Sequence, residues 1–186
     1  MRASVVAGVL LTAATVLVIV VSAAAGLGLE SYALTGVAVG AVVGLVPDRA
    51  PLERLAGFVV GFVAVFVGFA LRALVLPDVT SGRVVATAIT GLLCALAAFG
   101  SRNHLPLWSL LLGVAAFSGV YEAPFAAAVP EMATTSADVA TSLLAAVAVG
   151  FVVASAVAVR PRAALAVVPQ QRDADLPIAD RTEAAR

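Results

Sequence analysis

Residues 36–72 read GVAVGAVVG (36–44), LVPDRAPLER (45–54) and LAGFVVGFVAVFVGFALR (55–72). Two apolar runs flank a short turn that holds two prolines and four charged residues, and the second run ends in an arginine. Apolar stretches of this length, broken only by tight polar turns, suit lipid as the solvent.

Composition extends that reading to the whole chain. Of 186 residues, 62% are hydrophobic and only 12% are charged, with a mean hydropathy of +1.11. A water-soluble domain carries about 25% charged residues, so a soluble fold with half that charge would expose apolar patches that aggregate. The formal net charge is zero, which gives nucleic acid nothing to bind and excludes it as a partner class. The single cysteine, Cys94, forms no intramolecular disulfide and is read as a small buried hydrophobe.

A spanning helix needs about 20 mainly apolar residues. Six runs meet or approach that length, at 4–27, 31–46, 55–77, 84–100, 105–129 and 138–159. The first begins like a secretory signal, but a cleaved signal has an apolar region of only about 7–15 residues. A retained helix is therefore expected. Thr134, Thr135, Ser136 and Asp138 supply N-cap candidates for the sixth run. Residues 160–186 mix charge, proline and alanine without periodicity, and a disordered tail is expected there.

The predicted fold class is thus an all-α integral membrane protein. Residues 1–159 form a bundle of six transmembrane helices, and no water-soluble domain is added. Arginine placement orients it. With the N-terminus inside, Arg2, Arg49, Arg54, Arg102, Arg160 and Arg162 face the cytoplasm, and Arg83 is alone in an outer loop. Both termini are expected on the cytoplasmic side of a bacterial-type inner membrane.

Gly36, Gly40 and Gly44 repeat every four residues and form one smooth stripe. Gly57, Gly61, Ala64 and Gly68 form another on the third helix, and Ala146, Gly150, Ala154 and Ala158 a third on the sixth. In lipid, helices associate by close approach rather than by the hydrophobic effect, so the stripes are read as packing faces. A role in oligomerisation or in thinning a pore wall is the alternative. Phe58, Phe62, Phe66 and Phe69 lie on one face of the third helix, facing lipid or filling a gap in the bundle, with a gating constriction as the alternative.

Arg72 and Glu122 are the candidate intramembrane ion pair. Arg72 lies 17 residues after Leu55 and Glu122 lies 17 after Leu105, on two helices expected to run in the same direction. Equal rise per residue puts the charges at equal depth, and charges within a span tend to pair or face a wet cavity. The competing readings are that Arg72 snorkels outward and that Pro124 ends the fifth helix, leaving Glu122 at the surface. Residues 124–130, PFAAAVP, are expected to break the fifth helix as an interfacial segment or a short re-entrant piece.

Catalytic and cofactor motifs are not found. No phosphate-binding loop, dinucleotide fingerprint or HExxH occurs, and His104 lacks an accompanying nucleophile or carboxylate constellation in the sequence. The paired Asn-Pro-Ala motifs of water channels and the filter sequence of potassium channels are missing as well. No enzymatic activity, metal or cofactor is expected. Two functions fit: a small permease or channel-like protein for a small solute, or a structural subunit that binds a protein partner. A homo-oligomer or another membrane protein is the expected partner, besides the lipid bilayer itself. Gly36-Val37-Ala38 and Gly113-Val114-Ala115 recur in the middle helix of each three-helix half, a match too short to establish a repeat in so biased a composition.

Overall fold

A computed structural model describes residues 2–26, 28–76, 79–102 and 104–165, with side chains over 5–158. It comprises six helices: α1 (Arg2–Ala25), α2 (Glu30–Leu45), α3 (Pro51–Leu74), α4 (Thr80–Gly100), α5 (Leu107–Ala127) and α6 (Met132–Leu165). A 3-10 turn at Val129–Glu131 precedes α6, and no strand occurs among the described residues. Five helices are long and apolar enough to cross a membrane, and α2, with 16 residues, is shorter. Large apolar side chains cover the outside, including Val9 and Leu17 on α1 and Leu92, Leu96 and Phe99 on α4.

The helix ends follow from local chemistry. Gly26 adopts a left-handed φ of 65° after α1 and Gly28 one of 66°, a conformation that suits a residue lacking Cβ. The Leu29 N–H then donates to Ser22 Oγ at 2.8 Å, which closes the α1–α2 turn. Pro51 opens α3 at a position where its missing N–H costs nothing. The third helix therefore starts four residues before the expected Leu55.

Other boundaries also differ from expectation. The sixth helix begins at Met132, not Asp138, so the expected caps Thr134, Thr135 and Ser136 lie inside it. Their hydroxyls bond back to carbonyls: Thr134 and Thr135 to Glu131 O, and Ser136 to Ala133 O. Helical Ser and Thr satisfy themselves in this way without ending the helix. The helix also continues to Leu165, into the expected tail, and residues 166–186 lie outside the described residues.

Pro124 does not interrupt α5, which continues to Ala127. Its ring removes one N–H from the ladder, but the last turn is anchored. Phe125 is 1% exposed against Phe69 and Tyr121, and Tyr121 Oη donates to Met132 O at 3.2 Å. Residues 124–130 are thus a helical turn followed by a 3-10 turn, not a re-entrant piece.

Two pairs of helices pack most closely, α2 with α6 and α3 with α5. Contacts in each pair rise in number together, from Gly36 on Ala146 to Gly44 on Ala154, and from Gly57 on Ser109 to Arg72 on Glu122. Both pairs are therefore parallel. Exchanging the two halves of the chain, α1 for α4, α2 for α5 and α3 for α6, maps one pair onto the other. The same exchange carries α1·α6 onto α4·α3, α1·α2 onto α4·α5 and α2·α3 onto α5·α6, so every substantial helix–helix contact has its image.

The detail obeys the exchange as well. A Cβ on Gly40 would land on Val147 O, and one on Gly150 on Val37 O. In the other pair a Cβ on Gly61 would land on Leu110 O, and one on Gly113 on Phe58 O. In both pairs the glycine stands three residues after the residue whose carbonyl receives its partner. The core between the pairs is aromatic and apolar, with Phe58, Phe62, Phe69, Phe117, Tyr121 and Phe125 packed against Val43, Leu143 and Val147.

Candidate functional site

The site is assembled by the register of the parallel α3–α5 pair. Gly61 seats against Leu110, one turn from where Gly57 meets Ser109, and the parallel course continues to the far end. It brings Arg72, in the last turn of α3, to Glu122 on α5. Arg72 Nη1 lies 2.9 Å from Glu122 Oε2 and 3.1 Å from Oε1. The guanidinium carbon sits 5.3 Å from the Phe69 ring centre and 4.6 Å from that of Phe125, within cation–π range. The Arg72 side chain is 9% exposed and that of Glu122 is 47% exposed. The cation is the buried partner, and the carboxylate is the one solvent or solute meets.

Beside the pair lies a crevice of about 160 Å³ between α3, α4 and α5. Gly68 and Phe69 line it from α3, Thr87 and Thr90 from α4, and Ser118 from α5, with Arg72 and Glu122 at its charged end. Gly68 is required there, because a Cβ would meet Thr90 Oγ1 at 2.5 Å. Valine and alanine (Val65, Ala86, Val114) complete the lining.

The remaining glycines of the expected stripes serve contacts within the chain. Gly36, Gly40 and Gly44 meet α6, Gly150 meets α2, and Gly57 and Gly61 meet α5. The third-helix stripe is divided, since its lower glycine, Gly68, faces α4. Phe58, Phe62 and Phe69 are buried and Phe66 partly so, which favours filling the bundle over facing lipid. Cys94 is 1% exposed, against Ala64, Ala98 and Leu110. Among the described residues, no three histidine, cysteine or carboxylate side chains converge to hold a metal ion.

Arg54 does something that sequence reasoning missed. Counted as a cytoplasmic loop charge, it is instead 4% exposed on α3, with Nη1 donating to Val43 O at 2.8 Å, Gly44 O at 3.1 Å and Val46 O. These are carbonyls at the C-terminal end of α2, where a cation complements the helix dipole. The signal was present: a positive charge in the first turn of its own helix is misplaced, and the preceding turn is short enough to return it to α2. At the same end Trp108 Nε1 donates to Asp48 Oδ2 at 2.5 Å, and His104 Nδ1 lies 3.1 Å from Glu53 Oε1. Gly113 was also missed as a packing residue, because it stands without a second glycine one turn away.

No protein-family model, curated protein or solved structure matches the chain. The functional argument therefore rests on this geometry.

Proposed function

We propose that the chain is a small permease or channel-like protein of a bacterial-type cytoplasmic membrane. In this reading all six helices cross the bilayer, both termini are cytoplasmic, and the protein performs no catalysis and needs no cofactor. The observation that carries it is the crevice: a mostly apolar bundle keeps a buried arginine, an accessible glutamate and three hydroxyl side chains around one small space. Ionisable groups within a span are costly and tend to mark solute paths. The exchange relation between the halves supports the same reading, since many transporters are built from two inverted repeats.

Cysteine accessibility in intact cells tests it. Thr87→Cys, Thr90→Cys and Ser118→Cys, each on a Cys94→Ser background, probe the crevice. The native Cys94, one helical turn beyond Thr90, probes whether water continues inward. A membrane-impermeant thiol reagent is expected to label all four positions. Labelling that stops at Thr87 and Ser118, with Cys94 protected, removes the transport reading and leaves a surface crevice.

One observation favours a second reading, a structural subunit bound to another membrane protein or to a second copy. The shared centre of the bundle is sealed by Phe62, Phe69, Phe117 and Tyr121, with ring centres 4.6–5.9 Å apart. A scaffold needs no path through that centre, and protection of Cys94 selects this alternative.

A further inference from the structure

The crevice has a chemical polarity that its residue names conceal. Thr87 Oγ1 donates to Arg83 O, Thr90 Oγ1 to Ala86 O and Ser118 Oγ to Val114 O, at 2.8–2.9 Å. A hydroxyl has one proton to give. With that proton committed to the helix, each of the three offers a visitor only lone pairs. The fourth polar group a visitor reaches is the half-exposed carboxylate of Glu122, which is also an acceptor. Among the described residues that line the crevice, the side-chain donor is Arg72, 9% exposed and flanked by the rings of Phe69 and Phe125.

An acceptor-lined space with one accessible negative charge selects for N–H donors carrying a positive charge. The crevice is partly open, and its volume of about 160 Å³ matches a small solute, being the share of roughly five water molecules at ~30 Å³ each. We propose that the crevice binds a small organic cation of the ammonium or guanidinium type, with about four to six non-hydrogen atoms by that volume. Its charge sits on Glu122, its N–H groups on Thr87, Thr90 and Ser118, and its methyl groups against Val65, Ala86 and Val114. Arg72 is the internal competitor: its guanidinium holds the carboxylate and lies within cation–π distance of Phe69 and Phe125. This names the solute class for the transport reading and depends on that reading only for movement across the membrane.

The test is calorimetric titration of the full-length protein, in detergent or lipid nanodiscs, with methylguanidinium chloride, sodium acetate and acetamide. Saturable binding of methylguanidinium alone is expected. Glu122→Gln is expected to weaken it by about tenfold or more, the loss of one charge-assisted contact. Glu53→Gln, a carboxylate outside the crevice, is expected to leave it unchanged. Saturation by acetate in place of the cation overturns the proposal, and so does equal cation affinity in Glu122→Gln. No saturable binding of methylguanidinium to the parent protein overturns it as well. If Glu122→Gln does not elute as a folded species, Thr90→Val decides, since it preserves the ion pair. Severalfold weakening supports the site, and unchanged affinity rejects it. Binding without flux in proteoliposomes sustains this proposal and removes transport; flux of another solute without cation binding does the reverse.

Discussion

Single charged residues decide how this bundle is held at its two ends. At one end, Arg54 donates to the carbonyls that terminate α2, and an uncompensated buried acceptor costs about 1–3 kcal/mol. Arg54→Ala is expected to destabilise the protein by about 2–3 kcal/mol, read as a lower midpoint in thermal unfolding of the purified protein. Arg54→Lys is expected to recover only part, since one ammonium does not reproduce the guanidinium fork. Equal midpoints for the parent and Arg54→Ala would show that α2 ends without help. At the other end, Arg72 and Glu122 are in contact, and contacting charges are non-additive. A double-mutant cycle with alanine is expected to give a coupling of about 1 kcal/mol, kept small by the solvent exposure of Glu122. Strict additivity would mean that the contact contributes nothing. Equal distance from the expected starts Leu55 and Leu105 made this pair legible in the sequence, although the helices themselves begin at Pro51 and Leu107. The Arg54 cap was hidden because proximity to a proline-rich turn reads as loop, and only the fold reveals that the side chain points back.

Between helices, the smooth stripes were legible but their partners were not. A glycine repeat names a face, while the carbonyl that fills it belongs to a helix far away in sequence. Gly61 and Gly113 are placed so that each would put a Cβ on a backbone carbonyl of the other helix. A backbone cannot move aside as a side chain tip does, so the helices must separate. Gly61→Ala and Gly113→Ala are expected to cost about 1–3 kcal/mol each, as overpacked cores do. Gly91 on α4 and Gly119 on α5 have open space where a Cβ would go. Alanine there is expected to be neutral or to stabilise by up to about 1 kcal/mol through helix propensity. Unfolding midpoints of the four variants check both halves of this statement. A neutral Gly61→Ala would contradict the close approach of α3 and α5. The aromatic face of α3 was legible as a face for the same reason. Its partners Phe117, Tyr121 and Phe125 also repeat every four residues, but a shared period does not say which two faces meet.

Across the whole molecule, the exchange of halves bears on which helices cross the membrane. In the sequence the halves share little beyond a glycine in each middle helix, and the three-residue match at 36–38 and 113–115 is out of register. The structure equates Gly40, not Gly36, with Gly113 through their carbonyl contacts. Side chains in so Ala-, Val- and Gly-rich a chain carry too little information to reveal this, whereas backbone approach reveals it directly. The consequence bears on α2, whose 16 residues span about 24 Å at 1.5 Å per residue, against a hydrocarbon core of about 30 Å. Length alone allows α2 to lie outside the bilayer. Its packing argues against that, because α2 runs parallel along α6 from Gly36 on Ala146 to Gly44 on Ala154, through the most apolar part of a helix long enough to span. We therefore expect α2 to cross by local thinning of the bilayer at its ends, with the Arg54 cap replacing water at its last carbonyls. Leu29→Cys, before α2, and Arg49→Cys, after it, each on a Cys94→Ser background, are expected to label from opposite sides of the membrane. An impermeant thiol reagent applied to intact cells and to inverted vesicles distinguishes the sides. Labelling of both from one side would reduce the spans to five and place the termini across the membrane from each other. The parallel α2–α6 pair, and with it the exchange relation, would then not survive.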